Sequence, residues 1–285
     1  MLFRSHVLSR LAFFVLSPCL LFTVLADSDV HVLFSTLLLV SLIAAVASGL
    51  VFAIIARLFW RRAISETVIG SLASGYVNAN NIGLPVAVYV LGDAAAAAPV
   101  ILLQLLVFAP IALTILDVQQ KGTTSVRRVI LQPFMNPIIV GSLLGALLSV
   151  FQVQLPAEVM EPFRLVGAAA VPVVLLAFGM SLHGTRPLAA GSPRRDVLLA
   201  ASLKLAFMPV VAWLVGSLAF GLTGHRLFAV VVLAALPTAQ NVFNYAQRFD
   251  RGVLLARDVV LISTVLSVPA LVVVAALLAS PAPAG

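Results

Sequence analysis

Charge is scarce in this chain. Asp, Glu, Lys and Arg together make up only 9% of its 285 residues, against about 25% in an ordinary soluble domain. That is too little to cover a water-facing surface, and it excludes a soluble globular protein. Cysteine is nearly absent: Cys19 alone rules out an intrachain disulfide, and its apolar segment makes it a packing residue. No zinc-ligand spacing, phosphate-binding P-loop or nucleophile elbow occurs, which argues against a metalloenzyme, an ATP-driven pump and a hydrolase. His6, His31, His183 and His225 lie near loops or the N-terminus and form no metal cluster. No stretch is long and polar enough to be a separate soluble domain.

What fills the chain is hydrophobic sequence, at 62% of residues and a mean hydropathy of +1.17. Apolar runs of roughly 20 residues recur throughout, the length a helix needs to cross a bilayer core. Nine segments read as membrane helices: about 11–26, 32–56, 65–92, 95–117, 129–151, 164–183, 196–222, 226–248 and 256–279. The net charge of +7 does not point to nucleic acid, because the basic residues sit in short loops, where they set topology. With the N-terminus in the cytoplasm, 14 of the 17 basic residues fall inside: Arg4, Arg10, Arg57, Arg61, Arg62, Lys121, Arg127, Arg128, Arg186, Arg194, Arg195, Arg248, Arg251 and Arg257. Arg164 and Arg226 fall outside, and Lys204 lies within a span. One missed or extra helix would scramble this pattern, so the expectation is nine helices with the C-terminus outside. A rival reading takes Arg4 and Arg10, the apolar stretch from Leu11 to Phe22, and Val24-Leu25-Ala26 as a cleavable signal peptide.

Two of the apolar segments are interrupted by polar stretches, one in each half. The first is Asn78-Ala79-Asn80-Asn81-Ile82-Gly83-Leu84-Pro85 and the second Leu236-Pro237-Thr238-Ala239-Gln240-Asn241-Val242-Phe243-Asn244. Water is absent at mid-membrane, so backbone groups freed by a break need other partners, and paired breaks mark binding sites in carriers. A half-helix starting near Leu84 and Pro85 would present its positive end to a carboxylate. Proline is tolerated at a first helical position, and Gly83 permits a turn that bulkier residues resist. Asn78, Asn80, Asn81, Gln240, Asn241 and Asn244, with Thr238, add donors and acceptors without a buried charge. The bland reading is that these amides only satisfy the broken backbone or join helices. Two clusters at equivalent places favour a binding site.

Lys204 is the one basic residue deep in a span, and two readings of it stay open. It attracts an anion or stands in for a coupling cation, or it is a structural lysine that snorkels or pairs with a carbonyl. Glu66, Asp117, Asp196 and Asp258 lie near predicted helix ends and read as solvated or helix-end groups. With no buried Asp pair, neither proton nor sodium coupling can be read from the sequence. Gly141-Ser142-Leu143-Leu144-Gly145 offers a small face for tight packing in the bundle or for a dimer. The alanines after Asp93 read as an ordinary helix start.

An internal repeat links the two breaks. Pro18 and Pro172 each sit mid-segment; Pro85 follows Pro18 by 67 positions, and Pro237 follows Pro172 by 65. Each pair spans a helix, a basic loop and a broken helix. The natural unit is five helices: 121–285 holds a complete copy, whereas 1–120 holds four and lacks the first. An odd number per unit turns the second copy upside down, as in many secondary transporters.

These features resemble the auxin efflux carrier family in its short bacterial form. The resemblance rests on Asn78 to Pro85 followed by Gly92-Asp93, on Leu236-Pro237-Thr238-Ala239-Gln240-Asn241, and on the tail from Asp258 to Ser267 with its Ser263-Thr264 pair. It implies an all-α membrane fold of two inverted five-helix repeats, akin to the bile-acid/sodium symporters, with two broken helices crossing at their prolines. It also implies a moving transport part, here about 65–117 and 196–279 with 32–56, and a scaffold, about 11–26 and 129–183, that often dimerises. The cargo it implies is a small organic anion, such as malate or malonate. The chain departs from the family at its start, where the first helix is missing, either because the gene start is placed too far downstream or because this is a nine-helix variant.

The function expected is therefore secondary active transport of a mono- or dicarboxylate across the inner membrane, by an elevator or rocking movement. It needs no cofactor or metal and no enzyme activity. A channel would require a continuous polar lining, yet the polar residues cluster at one depth. A non-transporting sensor or structural subunit is the other alternative.

Overall fold

The computed structural model describes residues 7–8, 10–27, 36–121, 135–181, 188 and 191–278. Arg4, Arg127, Arg128 and Arg186, which carry part of the orientation argument, lie outside the described residues, as do His6, His31 and His183. Among the described residues every regular element is a helix. In chain order they are α1 Ala12–Ala26, α2 Thr36–Phe59, α3 Ile64–Gly75, α4 Ala79–Leu91 and α5 Ala94–Gln120. There follow α6 Pro137–Val150, α7 Ala157–Ala168, α8 Ala170–Ser181, α9 Arg194–Ala219, α10 Gly224–Ala235, α11 Gln240–Phe249 and α12 Val253–Leu278. Among the described residues, α2, α5, α9 and α12 are long and apolar enough to cross a membrane by themselves, and α1, α4, α6 and α10 are shorter apolar helices. Large apolar side chains such as Leu50, Leu147, Val210 and Leu277 lie exposed along them, which suits a lipid surface and not water. The chain is an all-α membrane protein.

Four prolines shape these helices without ending them. A proline lacks the N–H for the i→i−4 bond, and its ring crowds the carbonyl four residues back. Opening the preceding turn to the wider π form relieves both. Wide turns end two residues ahead of Pro18, Pro85, Pro110 and Pro209, over Ala12–Leu16, Ala79–Gly83, Gln104–Phe108 and Leu203–Phe207.

The chain forms two compact units. In the first, holding α1, most of α4, the start of α5 and α6–α8, helices α1 and α6 pack backbone to backbone. A Cβ added at Gly141 would lie 2.6 Å from the Pro18 carbonyl oxygen, and one at Gly145 would collide with the Phe22 carbonyl. The small face read from the sequence is therefore filled from within the chain. Phe22 meets Phe163 of α7 edge to face at 5.1 Å, and Arg164 pairs with Asp27 at 3.0 Å. The alanines after Asp93 do start a helix, α5, and it is capped: the Asp93 carboxylate accepts from the Ala95 N–H at 2.8 Å.

The second unit holds α2, α3, the end of α5 and α9–α12. Asp196, buried, takes two hydrogen bonds from Arg62, at 2.9 and 2.7 Å. That bond, foremost, raises the Arg62 pKa against the opposing effect of burial. Asp258 is fully buried and accepts from Arg257 Nε, Ser192 Oγ and the Leu188 N–H at 2.8, 2.6 and 3.1 Å. Asp117 is buried too. These acids read from the sequence as solvated or helix-end groups. Asp196 does sit in the first turn of its helix, but none of the three is solvated. Desolvation is tolerable for Asp196 and Asp258 because a guanidinium, joined at Asp258 by two further donors, satisfies each carboxylate.

Local backbone repeats at one interval. The wide turns Ile55–Phe59 and Val215–Ala219 each close on a residue of like dihedrals, Trp60 (φ −107, ψ −6) and Phe220 (φ −111, ψ −1). The next residues, Arg61 and Gly221, both have positive φ. Arg62 N–H then donates to the Ala56 carbonyl at 2.9 Å, as Leu222 N–H does to Gly216 at 2.8 Å. Every pair is 160 positions apart (215 less 55, 222 less 62), and α3 and α10 start and end at the same interval. Under it Asn80 and Asn81 correspond to Gln240 and Asn241. Pro85 corresponds to Tyr245 and Pro237 to Val77, so the proline pairing drawn from the sequence is not the one the backbone follows.

Candidate functional site at the helix crossover

Helix α10 stops because of its sequence. Proline disfavours helical dihedrals in the residue before it, and Leu236 is extended at φ −57, ψ 149. The chain stays extended to Ala239 (φ −68, ψ 141) before α11 begins. Helix α3 stops at Gly75 with Tyr76 extended (φ −92, ψ 106) and no proline at hand. The two extended stretches meet antiparallel, with Val77 opposite Thr238. Asn78 N–H donates to the Pro237 carbonyl at 2.7 Å, and Ala239 N–H donates to the Tyr76 carbonyl at 3.0 Å.

Two expectations need correction. The second half of the first broken helix starts at Ala79 and not near Leu84 and Pro85, since the wide turn Ala79–Gly83 leads straight into them. Gly83 is ordinary helix (φ −64, ψ −42) and its conformational freedom is unused. The crossing also falls at only one proline, Pro237, because a wide turn absorbs Pro85 where an extended residue would have been a break.

A broken helix leaves carbonyls without intrahelical donors, and here side chains from other segments supply them. Thr238, fully buried, donates through Oγ1 to the Ala73 carbonyl of α3 at 2.6 Å. The Thr238 N–H, lost to α10, donates to Ser263 Oγ of α12 at 3.0 Å. The Ala234 carbonyl, which that N–H would have served in an unbroken helix, accepts from Lys204 Nζ at 2.6 Å. Lys204 is fully buried and also touches Met208 Sδ at 3.2 Å. Among the described residues no carboxylate pairs with it.

The structure gathers Asn78, Pro237 and Thr238, all buried, at the crossing itself. Gln240 and Asn241 are half-buried in the first turn of α11, and Asn244 one turn on is exposed. Helix α11 has no side-chain cap. Asn80, Asn81, Gly83 and Pro85 belong to the other unit, on α4. There Asn80 Nδ2 donates to Asn81 Oδ1 at 3.0 Å, while the buried Asn80 Oδ1 has no partner among the described residues. Three residues were not foreseen as site residues. Tyr76, fully buried, meets Tyr245 edge-on at 6.4 Å, and its hydroxyl has no hydrogen-bond partner among the described residues. The signal for Tyr76 was its place just before the asparagines. Ser263 lay in the Ser-Thr tail, but nothing in that motif showed which group it would serve.

An all-α membrane protein whose two interrupted helices cross and cap each other belongs to the class of membrane transporters. The chain is a member of the membrane transport protein family, the auxin efflux carriers, which matches it over residues 4–125 and 120–275. It is a family of transporters and not of enzymes, and its membership makes this a multi-pass membrane protein. No curated protein matches the chain.

Proposed function

We propose that this chain is a secondary carrier for a small organic anion, a mono- or dicarboxylate, in the inner membrane. The observation behind the reading is the crossover, in which one carbonyl at the end of each broken helix, Ala73 and Ala234, accepts from a side chain of another segment. The N-terminal end of α11 has no side-chain cap. Such an end carries partial positive charge and free N–H groups, which suit a carboxylate. The amides of Gln240 and Asn241 and the hydroxyls of Tyr76 and Tyr245 add neutral donors. Asn78 would do the same from the first half, and in the other unit Asn80 and Asn81 offer further neutral amides.

The common 160-residue interval and the antiparallel meeting of the breaks favour two inverted repeats. Alternating access would follow from moving the crossover across the membrane, by an elevator or rocking motion against a scaffold that can dimerise. The test is uptake of radiolabelled mono- and dicarboxylates into proteoliposomes. Asn81→Ala and Asn241→Ala, made separately, should each cut uptake by roughly tenfold or more, the effect of losing one charge-assisted hydrogen bond. Unchanged uptake in both would sink the reading, and flux that does not saturate would favour a channel.

A further inference from the structure

The end of α10 is where a carrier of this build would hold a coupling cation. Unwound carbonyls and the C-terminal ends of half-helices coordinate such ions, and the partial negative charge of a helix C-terminus favours them. The break strips donors from three successive carbonyls here. Leu233 would have been served by residue 237, a proline with no N–H. Ala234 would have been served by Thr238, whose N–H goes to Ser263. Ala235 would have been served by Ala239, whose N–H goes to Tyr76. Into this end reaches the ammonium of Lys204, at 2.6 Å from the Ala234 oxygen.

The lysine is poorly satisfied by ordinary standards. An ammonium has three donors, and this one finds one carbonyl and one thioether, with no water-exposed surface. A buried charge with so few partners is costly, and Met or Leu would fill the same space more cheaply. Its placement makes sense as positive charge aimed at a helix end. The wide turn Leu203–Phe207, opened by Pro209, carries it.

We infer that the Lys204 ammonium is a tethered cation, occupying the place of a free monovalent ion at the end of α10, so that the crossover is assembled without sodium. The consequence for transport rests on the carrier reading above; the cation site itself does not. Purified wild type and Lys204→Ala are melted in detergent in Na+ and in N-methyl-D-glucamine, with K+ and Li+ as further arms. Wild type should melt alike in all four. Lys204→Ala should melt lower in N-methyl-D-glucamine and recover with Na+ in a saturable way, as a ligand bound only by the folded state requires. Lys204→Met, which fills the space, is the second variant and should gain less from Na+. A wild type stabilised specifically by Na+ would overturn the inference. So would variants that are indifferent to every cation, or that recover in none. This readout uses no organic anion, so it stands if no carboxylate is transported. Where one is, uptake by Lys204→Ala should become faster in Na+ than in N-methyl-D-glucamine, and wild-type uptake should not.

Discussion

Thr238 holds the crossover by two groups at once, its N–H on Ser263 and its hydroxyl on the Ala73 carbonyl. Thr238→Val keeps the shape and removes only the hydroxyl. The Ala73 oxygen then lies buried without its donor, which costs about 1–3 kcal/mol. A lower melting point and weakened transport are expected, with Thr238→Ser retaining both. Equal melting of the Val variant and wild type would show that the hydroxyl does not serve the broken helix. The sequence marked Thr238 through its neighbour Pro237, because proline acts on local dihedrals alone. It could not show that the receiving carbonyl lies 165 residues away, since that pairing depends on where two helices cross. Lys204 is similar: the two readings of it were open in the sequence, and the carbonyl that it meets decides its contact.

At the scale of elements, close helix packing leaves the least room for change. Helices α1 and α6 touch through Gly141 and Gly145. Gly145→Val drives a branched side chain into the Phe22 carbonyl, and relief requires the helices to part. A loss of about 1–3 kcal/mol is expected from such overpacking, seen as poor yield and a lowered melting point in detergent. Leu144→Val on the exposed side of the same helix should change stability by about 0.5 kcal/mol or less. If the two behave alike, α6 does not pack this way. The glycine spacing was visible in the sequence, but two faces of one helix cannot be assigned to a neighbour or to a dimer until the neighbour is placed. The breaks tell the same story from the other side. Pro237 ends a helix and Pro85 does not, because the wide turn ahead of Pro85 accommodates it.

For the whole molecule, the distribution of arginine and lysine sets the orientation we propose, with the N-terminus in the cytoplasm and the C-terminus on the far side. The loop after α9 then faces outward and the loop after α11 inward. In a Cys19→Ser background, Thr223→Cys should react with a membrane-impermeant maleimide from outside the cell, and Asp250→Cys only after the membrane is opened. The reverse labelling would invert the topology. The first break was placed only roughly by the sequence, since α3 ends at Gly75 with no proline beside it and the next helix starts at Ala79. Membrane insertion, helix class and the break at Pro237 were legible in the sequence. Each follows from composition, from apolar length or from residues whose effect on the backbone is local. What tertiary structure alone decided is which freed groups find which partners: Tyr76 with Ala239, Ala73 with Thr238, Ala234 with Lys204. Those pairings join residues from 30 to 165 positions apart, and in the absence of water a broken helix has no other way to satisfy its backbone.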